Sequence, residues 1–177
     1  AHGQLGDGTT VNRSLPVKIE SLRDVKAVSA GYDHSLALKN DGSVWAWGHN
    51  TYGELGDRTN VSRSIPVQAA GLGNVVSVSA GTWFSLALKD DGSVWSWGAA
   101  NYGQLGNGAT QHQNAPGTIP GLKAEAISAG FYAAGALGTD GNYYTWGSNM
   151  YGQLGGPATG VRLSPAPVSD LRAKPNN

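Results

Sequence analysis

One short wording, Gly-Gln-Leu-Gly, returns at fixed intervals along the chain and constrains its fold more than any other feature. It stands at Gly3–Gly6, as Gly53-Glu54-Leu55-Gly56, at Gly103–Gly106 and at Gly152–Gly155, in steps of 50, 50 and 49 residues. Ser29-Ala30-Gly31 returns at Ser79-Ala80-Gly81 and Ser128-Ala129-Gly130. The block from Asp41 to Gly48 returns at Asp91 to Gly98 and Asp140 to Gly147. Three motifs keeping one register mean tandem copies of a unit of about 50 residues, the mark of a modular array.

Each unit reads as four short strands. The first is Val25 to Ala30, with counterparts at Val75 to Ala80 and Ala124 to Ala129. The second is Ser35-Leu36-Ala37-Leu38-Lys39, repeated at Ser85 to Lys89, where Leu alternates with small residues as in a strand packed on both faces. An Asn-Asp-Gly or Asp-Asp-Gly turn then closes a hairpin, because such residues tolerate positive φ. The third strand carries Val44-Trp45-Ala46-Trp47, with both indoles on one face. The fourth lies near Leu15-Pro16-Val17 and Ile65-Pro66-Val67, and its proline confines it to an outer edge.

Four antiparallel strands per unit, stacked face to face, predict an all-β fold: a β-propeller of four-stranded blades. The expected layout is a partial repeat at 1–24, blades at 25–74, 75–123 and 124–171, and a polar tail at 172–177. Trp45, Trp47, Trp95, Trp97 and Trp146 are assigned to the packing between blades. The last unit drifts. Ala134-Gly135-Ala136-Leu137-Gly138 replaces the Ser-Leu-Ala-Leu-Lys strand, Tyr144 replaces Trp95, and Pro165 with Pro167 suggests a short insertion. Such drift is expected of a terminal blade.

Composition narrows the function. Twelve acidic residues balance twelve basic ones with no basic run, so the footprint of a nucleic-acid binder is missing. Cysteine is absent, which excludes disulfides and thiolate metal sites. No apolar run approaches the ~20 residues of a membrane span. No signal peptide is visible, although a cleaved one would leave no trace.

The wording S-A-G-x-x-H-S-L-A-L-K-x-D-G-S-V-W-x-W-G-x-N-x-Y-G-Q-L-G closely resembles the repeat of the regulator of chromosome condensation family, across essentially the whole chain. Its uniformity resembles the bacterial branch, which carries an expectation of a secreted or cell-envelope setting. The resemblance implies part of a seven-bladed ring acting through protein contacts. Family activities include nucleotide exchange on the GTPase Ran, roles within ubiquitin ligases, and inhibition of β-lactamases by a secreted propeller. Ran exchange is the least expected here, since no residue of an exchange surface carries across. About three blades on 177 residues lead to two expectations: a fragment of a longer propeller, or a subunit that self-associates through open blade faces.

Functional positions are expected where the repeats differ. Loops joining first to second strands read Tyr32-Asp33-His34, Thr82-Trp83-Phe84 and Phe131-Tyr132-Ala133. Variable aromatic tips on a uniform frame suit a binding face, and aromatic residues of corresponding loops are what the β-lactamase inhibitor resembled here uses for contact. On the same face, His49, Ala100 and Met150 interrupt loops in which Asn and Tyr otherwise recur, so these three are further contact candidates. The recurring Asn and Tyr are assigned to holding the turn before Gly-Gln-Leu-Gly.

Catalysis has little to rest on. The four histidines stand singly without metal-ligand spacing, no G-x-S-x-G elbow occurs, and Gly-Gln-Leu-Gly-x-Gly lacks the ending of a phosphate loop. Neither cofactor nor metal is expected. Asn12-Arg13-Ser14 and Asn60-Val61-Ser62 fit a glycosylation sequon but occupy inequivalent repeat positions. The leading expectation is a non-catalytic module that binds an unidentified protein through its aromatic loops. A lectin-like propeller, with Trp83 or Phe84 stacked on a sugar, and a self-assembling segment are the alternatives.

Overall fold

The computed structural model describes residues 2–158 and 160–172. Eleven strands run through them: β1 (Val25–Ala30), β2 (His34–Lys39), β3 (Val44–Gly48), β4 (Arg63–Gln68), β5 (Val75–Ala80), β6 (Phe84–Lys89), β7 (Ser93–Gly98), β8 (Gln113–Ala129), β9 (Ala133–Gly138), β10 (Asn142–Ser148) and β11 (Val161–Arg172). All pairings are antiparallel. The first blade is the sheet β1-β2-β3-β4, with proline-bearing β4 at its edge. No helix among the described residues is long and apolar enough to cross a membrane.

The second and third blades share one seven-stranded sheet, β5 to β11, because β8 serves both. Its start pairs with β7 (Gly98 opposite Gln113) and its end with β9 (Ala129 opposite Ala134). The cause is one missing residue. Gly71-Leu72-Gly73-Asn74-Val75 joins the first two blades through a left-handed Asn74 (φ 58), whereas Gly121-Leu122-Lys123-Ala124 stays extended after its glycine.

Three expectations need correction. Leu15-Pro16-Val17 forms no strand, and among the described residues no third strand precedes it; Leu15 and Val17 are exposed. The expected insertion near Pro165 and Pro167 does not exist. Gly48, Gly98 and Gly147 face Arg63, Gln113 and Arg162, each 15 residues on, so Pro165 matches Pro66 and Pro116 in step. Of the tail expected at 172–177, Arg172 ends β11 and 173–177 lie outside the described residues.

Two apolar clusters form the core, one at each joint between blades. Leu36, Leu38, Val44 and Ala46 of the first blade meet Val75, Ala80, Ala87 and Trp97 of the second. Leu86, Leu88 and Val94 of the second meet Ala124, Ala134, Ala136 and Trp146 of the third. Period-two alternation explains this arrangement: leucines point toward the next blade and tryptophans toward the previous one. Full burial of Trp97 or Trp146 contributes up to about 4–6 kcal/mol.

The second Trp of each pair also carries a directed bond. Trp47, Trp97 and Trp146 donate Nε1–H to the carbonyls of Gln4, Glu54 and Gln104 at 2.8–2.9 Å. Each acceptor belongs to the Gly-Gln-Leu-Gly loop of the preceding unit. The loop's last glycine lets it lie against the indole; a Cβ on Gly6, Gly56 or Gly106 would meet Trp Nε1 at 2.8–2.9 Å. A second ladder joins the inner strands, where Ala80 and Ala129 donate N–H to the hydroxyls of Ser29 and Ser79. The first Trp of each pair is less enclosed: Trp95 still packs against the cluster at the first joint, as expected, whereas Trp45 belongs to neither cluster among the described residues. Trp45 and Trp95 are only half-buried, bonded to Ser43 and Ser93 and lying under the ammonium groups of Lys39 and Lys89.

Candidate functional site

Two sets of loops meet on one face, and backbone bonds fix them to each other. His49 and Ala99, just after the third strands, and Ser148, the last residue of β10, donate N–H to the carbonyls of Asp33, Trp83 and Tyr132 at 2.8 Å. The glycines before them (Gly48, Gly98 and Gly147) have φ of 101–107°, and a Cβ there would collide with those same carbonyl oxygens.

Asn shapes the longer loops, as expected. Asn50 Oδ1 accepts from Leu55 N–H and Asn149 Oδ1 from Leu154 N–H, at 2.9 and 3.0 Å. Asn101 does not belong to this set. It sits one place further along and is exposed, while Ala100 fills the buried position. There the Ala100 N–H donates to His112 Nδ1 (3.1 Å), much as Asn50 N–H reaches the Ser62 hydroxyl. Accepting that bond fixes the proton of a neutral His112 on Nε2.

These loops hold a continuous aromatic track. Trp83 lies at its centre, with ring centroids 5.3 Å from Tyr52, 5.8 Å from Tyr132 and 6.4 Å from Tyr32. Tyr132 in turn meets Tyr102 at 4.7 Å and Phe131 at 4.4 Å. Toward the N-terminus, Tyr52 meets His112 at 4.9 Å and His49 at 6.0 Å, and His49 meets His2 at 4.8 Å. Each longer loop leans onto the short loop of the next blade, so the track crosses both joints. Burial, and then the phenols of Tyr102, Tyr52 and Tyr32, raise the Tyr132 hydroxyl above the ordinary range, so it stays neutral at pH 7.

The expected contact residues divide by position within the loop. Tyr32, Phe131 and Met150 are exposed, at 67%, 64% and 57%. Asp33, His49, Trp83 and Tyr132 are half-buried. His34, Thr82, Phe84 and Ala100 are buried and must be withdrawn as contacts. His34 and Phe84 are the first residues of β2 and β6, paired with Gly48 and Gly98, so strand geometry turns them into the joint with the next blade. His34 Nε2 lies 2.9 Å from Ser85 Oγ, whose own hydrogen goes to the Glu54 carbonyl. His34 must therefore donate from Nε2, leaving Nδ1 a buried acceptor without a partner. Burial, with a smaller repulsion from His49, depresses its pKa to about 3.

Tyr52, Tyr102, His2 and His112 escaped sequence reasoning as members of the surface. The tyrosines recur in register and so read as scaffold; what places them on the track is the lean of each loop toward the next blade. Glu54 is another exception. It stands where other units have Gln, is fully buried, bonds to His49 Nδ1 and accepts from Tyr52 N–H. Among the described residues no group of three or more His, Asp or Glu is arranged to hold a metal.

A family model for the regulator of chromosome condensation (RCC1) repeat matches residues 1–38, 41–88, 91–137 and 140–176. The chain is 36% identical over 53 residues to the ultraviolet-B receptor UVR8 of Arabidopsis thaliana, a match covering 29% of this chain and 12% of that protein. The fold is similar to yeast RCC1 (Prp20), solved bound to Kap60, with TM-score 0.80 and 25% identity over 94% of this chain and 43% of that one. It is also similar to human WBSCR16, with TM-score 0.76, 26% identity and 94% and 45% coverage. The chain thus spans less than half of the solved chains and a small part of the curated relative. These relatives come from plant, yeast and human sources, and give no support to the bacterial, secreted setting expected from the repeat wording.

Proposed function

The chain belongs to the regulator of chromosome condensation (RCC1) repeat family, and from that premise we propose that it is a non-catalytic protein-binding module whose contact surface is the aromatic track. One observation carries the proposal: Tyr32, Tyr52, Trp83, Tyr102, Phe131 and Tyr132 form unbroken ring contacts across three blades on one loop face. Large, stiff aromatic side chains lose little entropy on binding and dominate the energetics of protein interfaces. Protein partners of the yeast relative (Kap60 in one structure; Gsp1p and histones in a study of Prp20p) support the class of activity.

The test is quantitative capture of proteins on three baits: the natural chain, Trp83→Ala/Tyr132→Ala, and Asp90→Ala in a turn on the opposite face. Proteins retained by the first and third baits but lost at least tenfold from the second are the expected result. Equal recovery on all three baits would overturn the assignment of the face. Retention of glycans, with no protein, would overturn the class of partner.

A further inference from the structure

The sequence around the track contains almost no charge. The loop spans 81–83, 99–112, 130–132 and 148–158 hold no Asp, Glu, Lys or Arg, although the chain has 24 such residues. Charges do occur at the first-blade end of the face, where most are closed on one another. Asp7 pairs with Arg13 at 2.9 Å and Asp57 with Arg63 at 3.0 Å, and buried Glu54 is hydrogen-bonded to His49. Asp33 and Arg58 are the charged side chains of these loops outside ion pairs, and Asp33 already accepts from Gln4 Nε2. Burial raises the Tyr132 phenol above its ordinary range and keeps it neutral, and Trp83 and Phe131 beside it have no ionisable group.

Such a surface offers nothing to phosphate, which needs cations, and little to an acidic or basic peptide, whose charge would lose water without gaining a partner. It suits a segment that buries apolar area and bonds to phenolic hydroxyls. Resting on the aromatic face as the binding surface, we infer that the partner docks an uncharged, apolar protein segment on the Trp83–Tyr132–Phe131 part of the track. Exposed Tyr32 and Phe131 edge the contact, and association is nearly independent of salt. Charge complementarity identifies this occupant: a surface whose Trp83–Tyr132–Phe131 part has no charged side chain in its loops selects a neutral partner by rejecting charged ones.

A dodecamer library displayed on phage, selected against the immobilised 177-residue chain, provides the test. The expected winners carry aromatic and aliphatic residues and no net charge. Their affinity changes less than about twofold between 50 and 500 mM NaCl, where exposed charge pairs are strongly screened. They lose at least tenfold against Trp83→Ala/Tyr132→Ala, and also against Tyr32→Ser/Phe131→Ser, whose positions are exposed enough to leave the fold intact. Charged winners whose binding collapses with salt would overturn the inference while leaving the face in place. Neutral winners that bind both variants unchanged would instead refute the face. No enrichment over a bare support, or stronger sedimentation with phosphatidylcholine vesicles than binding to any peptide, also counts against the proposal.

Discussion

The joint between the first and second blades and the joint between the second and third have the same frame with different filling. Both carry an indole N–H bonded to a loop carbonyl, and a serine hydroxyl bonded to the next blade's backbone. At the first joint, His34 donates to Ser85, which donates to Glu54. At the second, Phe84 takes the histidine position and Ala134 the serine position, within one apolar cluster. The two positions differ together: the polar pair shares a hydrogen bond, with His34 Nδ1 left over, and the apolar pair needs none. Bonds addressed to backbone recur from unit to unit; contacts between side chains are free to vary, provided both partners vary.

The largest way to break this comparison is Phe84→Ala. Emptying a fully buried aromatic position at the apolar joint is expected to cost about 3–5 kcal/mol in urea unfolding. A cost below ~1 kcal/mol would mean that the joint collapses freely.

Of the two joints, acid should weaken the polar one. His34 titrates near 6.5 in the unfolded chain and near 3 in the fold, so its stabilising contribution is complete above pH 6.5. As pH falls from 6.5 toward 3 the unfolded state gains the proton first, and stability drops by about 1.4 kcal/mol per pH unit from this group. A His34→Phe variant measured over the same range should lack that component of the slope.

Ser85→Ala strands the buried His34 N–H and should cost about 1–3 kcal/mol. Adding His34→Phe rebuilds the pair found at the second joint and should recover most of the loss, which a double-mutant cycle measures directly. Additive costs would show that the two positions vary independently. Least of all, Tyr32→Ser/Phe131→Ser should shift stability by no more than about 0.5 kcal/mol, since both residues project from the face and belong to neither joint.

The repeated frame was legible from the sequence because period, turn residues and paired tryptophans are local signals. Strands β1 to β7 fall close to where alternation places them. What escaped depended on neighbours in space. Leu15 to Val17 has the composition of a strand but no strand beside it among the described residues. Lys123 replaces two residues and fuses two blades, which a one-residue shift in spacing records without explaining. At the candidate site, variability alone did not separate residues that vary to meet solvent from those that vary to meet the next blade. Tyr32 and Phe131 belong to the first kind, His34 and Phe84 to the second, and only strand register distinguishes them.

The bond from each indole to the loop of the preceding unit spans 42 or 43 residues, so every unit is completed by its predecessor. This has an evolutionary consequence. Loss of one whole unit from a tandem array would keep the pattern of strands while bringing new neighbours together. Removing the second blade would set His34 against Ala134 instead of Ser85, leaving a ring N–H in an apolar joint with nothing to receive it. Copies of such a unit are therefore interchangeable in outline but bound in their order, because the coupled residues at each joint match only the neighbour they have.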